Sequence, residues 1–292
     1  MKITVFTPTY NRAYILENLF NSLKRQKFYD FEWIIVDDGS TDNTADLVSS
    51  WLKEKLSFPI IYNYQKNSGK HTAINKGVKL ASGNLFFIVD SDDYITDDAL
   101  FKINHWYENL TPKDSFWAIS GNVGFSKNEL IGETFQSEYL DSYYLDRIPN
   151  NIIGDKAEVF FTDVIRDYQF PEFKGEKFLF EGALFLEYGQ KYKIRYFNDI
   201  IYIADYLEDG LTNNIRNRIL QSPKGYAYVK CKEMDVFKRN YKDRLSFYYY
   251  YWKDFNKIIG TNNVSRNLRV TFFTLFLSIA IFGVLNWFRN FK

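Results

Sequence analysis

Three carboxylates crowd into four residues at Asp90-Ser91-Asp92-Asp93, directly after the apolar run Leu85 to Val89. Like charges this close repel unless a cation shares them, and in an extended segment Asp90 and Asp92 point to the same side. Oxygen ligands at the carboxyl end of a buried strand suit a hard divalent ion, Mg²⁺ or Mn²⁺, especially one shared with a substrate diphosphate. For a lone Asp-x-Asp the competing reading is a helix cap, supplied by Asp93, Asp97 or Asp98. The motifs around it decide between the two.

Polar motifs follow three earlier apolar runs. Pro8-Thr9-Tyr10-Asn11-Arg12, after Ile3 to Phe6, is rigid and aromatic. Tyr10 can stack on a base there, while Pro8 and Thr9 bring backbone groups to the base's edge. In Asp37-Asp38-Gly39-Ser40, after Phe31 to Val36, a carboxylate can accept the imino proton of a uracil, and Gly39 permits a tight turn into a helix. Between Lys66 and Gly77, Lys70 either neutralises a diphosphate or sits solvated at a helix start, and His71 is as suited to capping or packing as to chemistry. The Gly-x-Gly turn of dehydrogenases and the Walker phosphate loop are both missing from the sequence.

The elements that must position these residues alternate. Strands are expected at Ile3 to Phe6, Phe31 to Val36, Ile60 to Tyr64 and Leu85 to Val89. Helices are expected at Ala13 to Lys24, Thr44 to Lys55, Thr72 to Leu80 and Asp98 to Asn109. Such alternation implies right-handed crossovers and an α/β fold, a mostly parallel sheet covered by helices, in which ligands bind at the carboxyl ends of the strands. All four polar motifs lie just after strands, so they should converge on one crevice. The less regular middle, Ser115 to Glu181, is expected to add antiparallel edge strands and the acceptor side of the cleft.

Composition removes other classes. A formal net charge of +1 gives no footprint for nucleic acid. The single cysteine, Cys231, excludes an intrachain disulfide, and with only His71 and His105 a typical structural zinc site lacks ligands, so a metal should be held by carboxylates. Aromatic content of 20% suits sugar stacking, ordinary cores and membrane interfaces alike. Met1 to Arg12 does not read as a signal peptide, so the catalytic part is expected in the cytoplasm, and the apolar segment near the C-terminus sets the expectation of the inner face of the cell membrane.

In order and spacing, Thr7 to Arg12, Val36 to Asp42, Asn67-Ser68-Gly69 through Ala73 with Asn75 to Gly77, and Asp90 to Asp93 resemble the family 2 glycosyltransferases. The resemblance is specific over residues 1 to about 100 and looser to about 215. It implies a GT-A fold, a nucleotide-sugar donor that is usually a UDP-sugar, a divalent Mn²⁺ or Mg²⁺, and inversion at the anomeric carbon. Residue by residue, Pro8, Thr9 and Tyr10 match the base-binding loop, and Asp38 the carboxylate that reads uracil. Asn67 and Gly69 match the donor-binding turn, with Lys70 as its local elaboration. Asp90 and Asp92 match the ribose-and-metal Asp-x-Asp. Arg12 and Ser91 join the donor contacts, and Asp92 and Asp93 compete for the metal.

Inverting transfer needs one general base to deprotonate the acceptor hydroxyl. Glu172, Glu176 and Glu181 are candidates; Glu181 is chosen because it ends an aromatic run, where partial burial raises a carboxylate's pKa. The family's base commonly sits in a Glu-Asp pair, whereas Gly182 follows Glu181 here. Asp209 to Asn214, with Arg216 and Arg218 behind, reads as a loop near the donor that can pair with phosphate.

The catalytic domain is expected over residues 1–240, with a helical extension over 241–292. Val270 to Phe288 is free of charge and flanked by basic residues; its 19 residues span about 28 Å, close to a hydrocarbon core of about 30 Å. It is expected to associate with a membrane, spanning it or lying on it. Tyr241 to Ile259 suits an amphipathic interfacial helix or a tyrosine-rich core helix. The functional expectation is a metal-dependent, hexosyltransferase-type enzyme acting on a saccharide or lipid-linked acceptor in cell-surface polysaccharide synthesis. The alternatives are a degenerate nucleotide-sugar-binding module and a nucleotidyltransferase.

Overall fold

The computed structural model describes residues 2–204 and 214–289, with side chains as far as residue 283. It divides into two compact units, Met1–Phe170 with Glu187–Gly210, and Pro171–Leu186 with Leu211–Lys292. The expected boundary near residue 240 falls inside the second unit, between two of its helices.

The first unit carries the alternation. β1 (Ile3–Thr9), β2 (Phe31–Asp37), β3 (Ile60–Tyr64) and β4 (Leu85–Ile88) pair in parallel in the order β3-β2-β1-β4. Between them run α1 (Leu16–Lys24), α2 (Thr44–Trp51) and α3 (Lys70–Leu80). β1 and β2 are buried along their whole length, as a parallel sheet covered on both faces requires. In α1, Leu16, Leu19, Phe20 and Leu23 recur at helical spacing, and all are buried. Phe20 stacks on Trp51 of α2 at 4.3 Å between ring centroids, and Trp51 lies against Trp33 of β2. Each such aromatic burial contributes about 2–3 kcal/mol, so these rings anchor both helices to the sheet.

α1 begins at Leu16, later than the expected Ala13, because the Arg12 carbonyl first accepts from the amides of Ile15 and Leu16 in a separate turn. α3 begins earlier than expected, at Lys70, because Gly69 takes a positive φ of 102° at its start.

After β5 (Tyr94–Ile95) and α4 (Ala99–Glu108) come β6 (Phe116–Ser126), β7 (Glu129–Leu130), β8 (Tyr139–Tyr143), β9 (Lys156–Phe161), the short α5 (Thr162–Ile165), α6 (Gly182–Tyr188) and β10 (Lys193–Ile203). The sheet continues β4-β9-β6-β10-β5, with β7 on β6 and β8 on β10. The middle segment therefore does more than extend an edge. β9 enters antiparallel between β4 and β6, so residues from the irregular region stand beside the strand that leads to the Asp cluster.

The second unit is helical: α7 (Ile215–Gln221), α8 (Pro223–Val236), α9 (Tyr241–Ile259), α10 (Thr261–Leu268) and α11 (Phe272–Arg289). Of the two readings for Tyr241 to Ile259, the core helix describes its packing. Leu245, Tyr248, Tyr251 and Phe255 are buried with Ala227, Met234, Val264, Leu268 and Leu275. The Tyr251 hydroxyl is satisfied by donating to the Pro223 carbonyl at 2.7 Å, which makes so buried a phenol tolerable. Among the described residues no single helix is long and apolar enough to cross a membrane. α10 and the first part of α11, Phe272–Gly283, meet at 105° and only together reach that length and composition.

Candidate active site

The carboxyl ends of β1 and β2 are locked in register. Thr9 pairs with Asp37, and the Asp38 amide donates to the Thr9 carbonyl at 2.8 Å. Asp37 is wholly buried; it accepts from the Ser40 amide at 2.7 Å and the Tyr62 hydroxyl at 2.6 Å, so it shapes the turn. Asn11, at φ 53°, joins the two loops: its amide donates to Ser40 Oγ at 2.8 Å, and its Oδ1 accepts from the Thr41 amide at 2.8 Å. Tyr10 stands 46% exposed beside them, a free aromatic face. The Thr9 hydroxyl is buried without a hydrogen-bond partner among the described residues.

Asp38 organises the next motif. Its Oδ1 accepts from Gln65 Nε2 and the Ser68 amide, and its Oδ2 from the Gly69 amide, all at 2.8 Å. A carboxylate has about four acceptor positions, so Oδ2 keeps one for a ligand donor. Gly39 is required where these turns meet. It has φ +86°, and a Cβ there would stand 2.7 Å from the Asn67 backbone nitrogen.

On the other side of β1, the Val89 amide continues the ladder by donating to the Phe6 carbonyl at 2.9 Å, and the chain then turns tightly, the Asp93 amide donating to the Asp90 carbonyl at 3.2 Å. Asp90, Asp92 and Asp93 each present a carboxylate oxygen within 4.8 Å of the others. Lys70 Nζ lies 2.7 and 2.8 Å from the two Asp90 oxygens, and Arg12 lies 3.6 Å from Asp92. Burial, and then the Asp90 charge, raises the Asp92 carboxyl above its usual range; Arg12 and Lys70 offset only part of this. Three carboxylates facing these two cations fit a hard divalent ion, which would relieve that repulsion.

Tyr202 of β10 completes the cluster and was not legible in the sequence. Its hydroxyl donates to Asp93 Oδ2 at 2.6 Å and accepts from the Asp90 amide at 3.1 Å, fixing both ends of the turn. The phenol is pushed well above its ordinary pKa by burial and by the Asp90 and Asp93 charges, so it stays a donor. Tyr202 is separated from the cluster by over a hundred residues and arrives through the pairing of Tyr202 with Ile95, which no local pattern signals.

Pro8, Thr9, Tyr10, Arg12, Asp38, Asn67, Gly69, Lys70, Asp90, Ser91, Asp92 and Asp93 thus all belong to the first unit, at the ends of β1, β2 and β4 and the start of α3. Glu181 belongs to the second unit, immediately before α6, partly buried, its carbonyl accepting from the Leu184 amide. Glu176 is committed elsewhere: its two oxygens accept from the amides of Lys224 and Gly225, capping α8. Arg216 and Arg218 lie on α7, and residues 209–213 of the expected loop lie outside the described residues.

Known proteins resemble this chain in sequence and in fold. The family described as glycosyl transferase family 2 matches residues 4–152. The glycosyltransferase GlyA of Streptococcus pneumoniae is 28% identical over 213 residues, 73% of this chain and 27% of that protein. The poly-beta-1,6-N-acetyl-D-glucosamine synthase of Staphylococcus aureus is 32% identical over 138 residues, 47% of this chain and 32% of that one. The chain therefore spans a third or less of the length of these curated relatives. Among solved structures, S. aureus TarS 1–349 in complex with UDP-GlcNAc aligns over 97% of this chain and 80% of its own, with TM-score 0.62 and 20% identity. The mannosyltransferase PcManGT from Pyrobaculum calidifontis, in complex with GDP-Man and Mn²⁺, aligns over 97% and 75%, with TM-score 0.56 and 16% identity. These two support the shared fold, and the family match spans β1 through β8, including every strand end that carries the Asp38 and Asp90 to Asp93 motifs; the chain belongs to the family 2 glycosyltransferases.

Proposed function

We propose that this chain transfers a hexose-type sugar, with inversion, from a UDP-sugar to a saccharide or lipid-linked saccharide acceptor in cell-surface polysaccharide synthesis. The observation that carries the reading is that Asp38 and the Asp90 to Asp93 cluster stand at the carboxyl ends of β2 and β4, the two parallel strands that flank β1. Tyr10 stacks on the uracil, Asp38 Oδ2 accepts a hydrogen bond from its imino N–H, and the Thr9 hydroxyl, without a partner among the described residues, gains a bond at the same edge. Asp90 holds the ribose, with Ser91 beside it. Asp92 and Asp93 hold Mn²⁺ or Mg²⁺, which when bound neutralises charge on the diphosphate. Lys70 and Arg12, already poised on Asp90 and Asp92, supply further positive charge to the leaving nucleotide. Glu181 takes the proton from the acceptor hydroxyl.

A lipid-linked acceptor and a site at the cytoplasmic membrane face are supported by α11, where Phe272, Phe273 and Phe276 are 58%, 75% and 63% exposed just after Arg266 and Arg269. Such an apolar face flanked by cations suits the headgroup boundary.

A donor screen with Mn²⁺ tests the reading by scoring UDP release from UDP-glucose, UDP-galactose and their N-acetyl forms. Turnover of one donor that disappears in Asp92→Ala supports it; binding without turnover across the panel favours a binding module, and pyrophosphate release from UTP and a sugar phosphate favours a nucleotidyltransferase. Replacing Phe272, Phe273 and Phe276 with Ser should abolish sedimentation with anionic vesicles. Unchanged sedimentation would remove the membrane part alone.

A further inference from the structure

A second polar group lies in mid-sheet, away from the strand ends. Ser120 of β6 pairs with Glu158 of β9 on one side and with Tyr196 of β10 on the other, so the three stand side by side across three strands. Their sequence neighbours Ile119, Val159 and Phe197 all enter the main core. By the alternation of strands, Ser120, Glu158 and Tyr196 face the opposite side.

This is a poor place for polar atoms unless something binds them. Tyr196 and Asn122 are wholly buried, and the Tyr196 hydroxyl and Asn122 Oδ1 lack hydrogen-bond partners among the described residues. An orphaned buried polar atom costs stability, so natural chains keep few without a use. Glu158 as a residue is only partly buried. Its neighbouring cations are engaged elsewhere: Arg147 donates to the Gly154 carbonyl at 2.8 Å, and Lys156 to the Ile153 carbonyl at 2.6 Å. Burial pushes the Glu158 carboxyl up to about 7, with the Arg147 charge opposing.

The group also lies close to the Asp cluster. The last β4–β9 pair is Phe87 with Val159, so one further step sets Glu158 beside Ile88, two residues before Asp90. Two residues along a strand and one strand across is about 8 Å between Cα atoms, a span that one hexose bridges.

We propose that Glu158 and Tyr196 form a subsite for a saccharide hydroxyl, which donates to the Glu158 carboxylate and accepts from the Tyr196 hydroxyl. The proposal rests on the sugar-transfer reading above. The hydroxyl belongs either to the donor sugar or to the acceptor, and the two arms of the experiment distinguish them.

Full-length wild type, Glu158→Gln and Tyr196→Phe are titrated calorimetrically with Mn²⁺ and UDP, with UDP-glucose, UDP-galactose and UDP-N-acetylglucosamine, and with the methyl glycosides of glucose and N-acetylglucosamine. Glu158→Gln should weaken one sugar arm about 10-fold or more, and Tyr196→Phe the same arm about 5-fold, with UDP affinity unchanged within about 2-fold. Loss confined to the UDP-sugars assigns the subsite to the donor, and loss confined to the glycosides assigns it to the acceptor. Tyr196→Phe should melt no lower than wild type, because it removes an unpartnered hydroxyl; a lower melting point with unchanged sugar affinity would make Tyr196 structural and overturn the proposal. Sugar affinity unchanged in both variants, or no sugar-dependent binding by wild type, also overturns it. Failure of wild type to bind UDP would sink the nucleotide reading, while the glycoside arm still decides the subsite.

Discussion

The two halves of the sheet in the first unit solve the problem of holding polar groups differently. In β3-β2-β1-β4 the candidate site residues sit at or just past strand ends, in short contiguous motifs whose turns are bonded to one another, as when Asp38 grips the Ser68 and Gly69 amides. In β9-β6-β10 the polar groups stand within strands and come from positions as distant as Ser120 and Tyr196, aligned only by pairing. Strand ends can carry charge cheaply because water and helix starts reach them; mid-strand groups remain desolvated until a ligand arrives. Tyr202 connects the halves, since from within β10 its hydroxyl holds the turn at the end of β4.

Substitutions can break this contrast. The largest effect is expected from Asp92→Ala, which should lower turnover about 10³-fold while leaving the fold intact if the strand-end cluster acts on the leaving nucleotide as proposed. Steady-state rates with a matched thermal melt check it; a loss under 10-fold, on the order of 1 kcal/mol, would remove Asp92 from the metal role. Gly39→Ala should cost about 2–3 kcal/mol by urea titration, since its Cβ meets the Asn67 backbone at positive φ. If that variant is as stable as wild type, the interlocked turns are not what holds the strand ends.

Tyr202→Phe sharpens the link between halves. It should weaken Mn²⁺ binding about 10-fold, measured by titration followed with electron spin resonance, because Asp93 loses the donor that orients it. A pH-dependent effect concerns Glu158, whose carboxyl rises from an ordinary 4.5 to about 7 in the folded chain. Between those values the folded state holds a proton the unfolded chain has released, so the stabilisation is full below about pH 4.5 and is lost as pH rises through about 7. Relative to wild type, Glu158→Gln should therefore gain stability across that window, with Arg147, Lys156 and Asp155 as the other charges acting on the group. Parallel stability curves from pH 4.5 to 7 would contradict this.

Legibility followed the same divide. The first four strands and the helices between them were readable because burial on both faces writes continuous apolar runs, and the polar motifs are local in sequence. Boundaries slipped where a turn or a glycine intervened, at Arg12 to Ile15 and at Gly69. The position of β9 was not readable: Lys156 to Phe161 looks like any short strand, and nothing in it says that it lies antiparallel between β4 and β6. Glu176 looked like a candidate base until its carboxylate proved to cap α8, a contact made 48 residues away.

By itself the sequence determined the alternating parallel half of the sheet and the polar motifs at its strand ends, because local apolar periodicity and contiguous turn motifs act over short distances along the chain. Only the tertiary structure decided which oxygens of Asp38 are already bonded, that Tyr202 fixes Asp93, and that Glu158 stands beside Ile88 with Tyr196 two strands away. Those contacts depend on strand order and register, which arise when separate segments bury one another's surfaces, and no single segment encodes them.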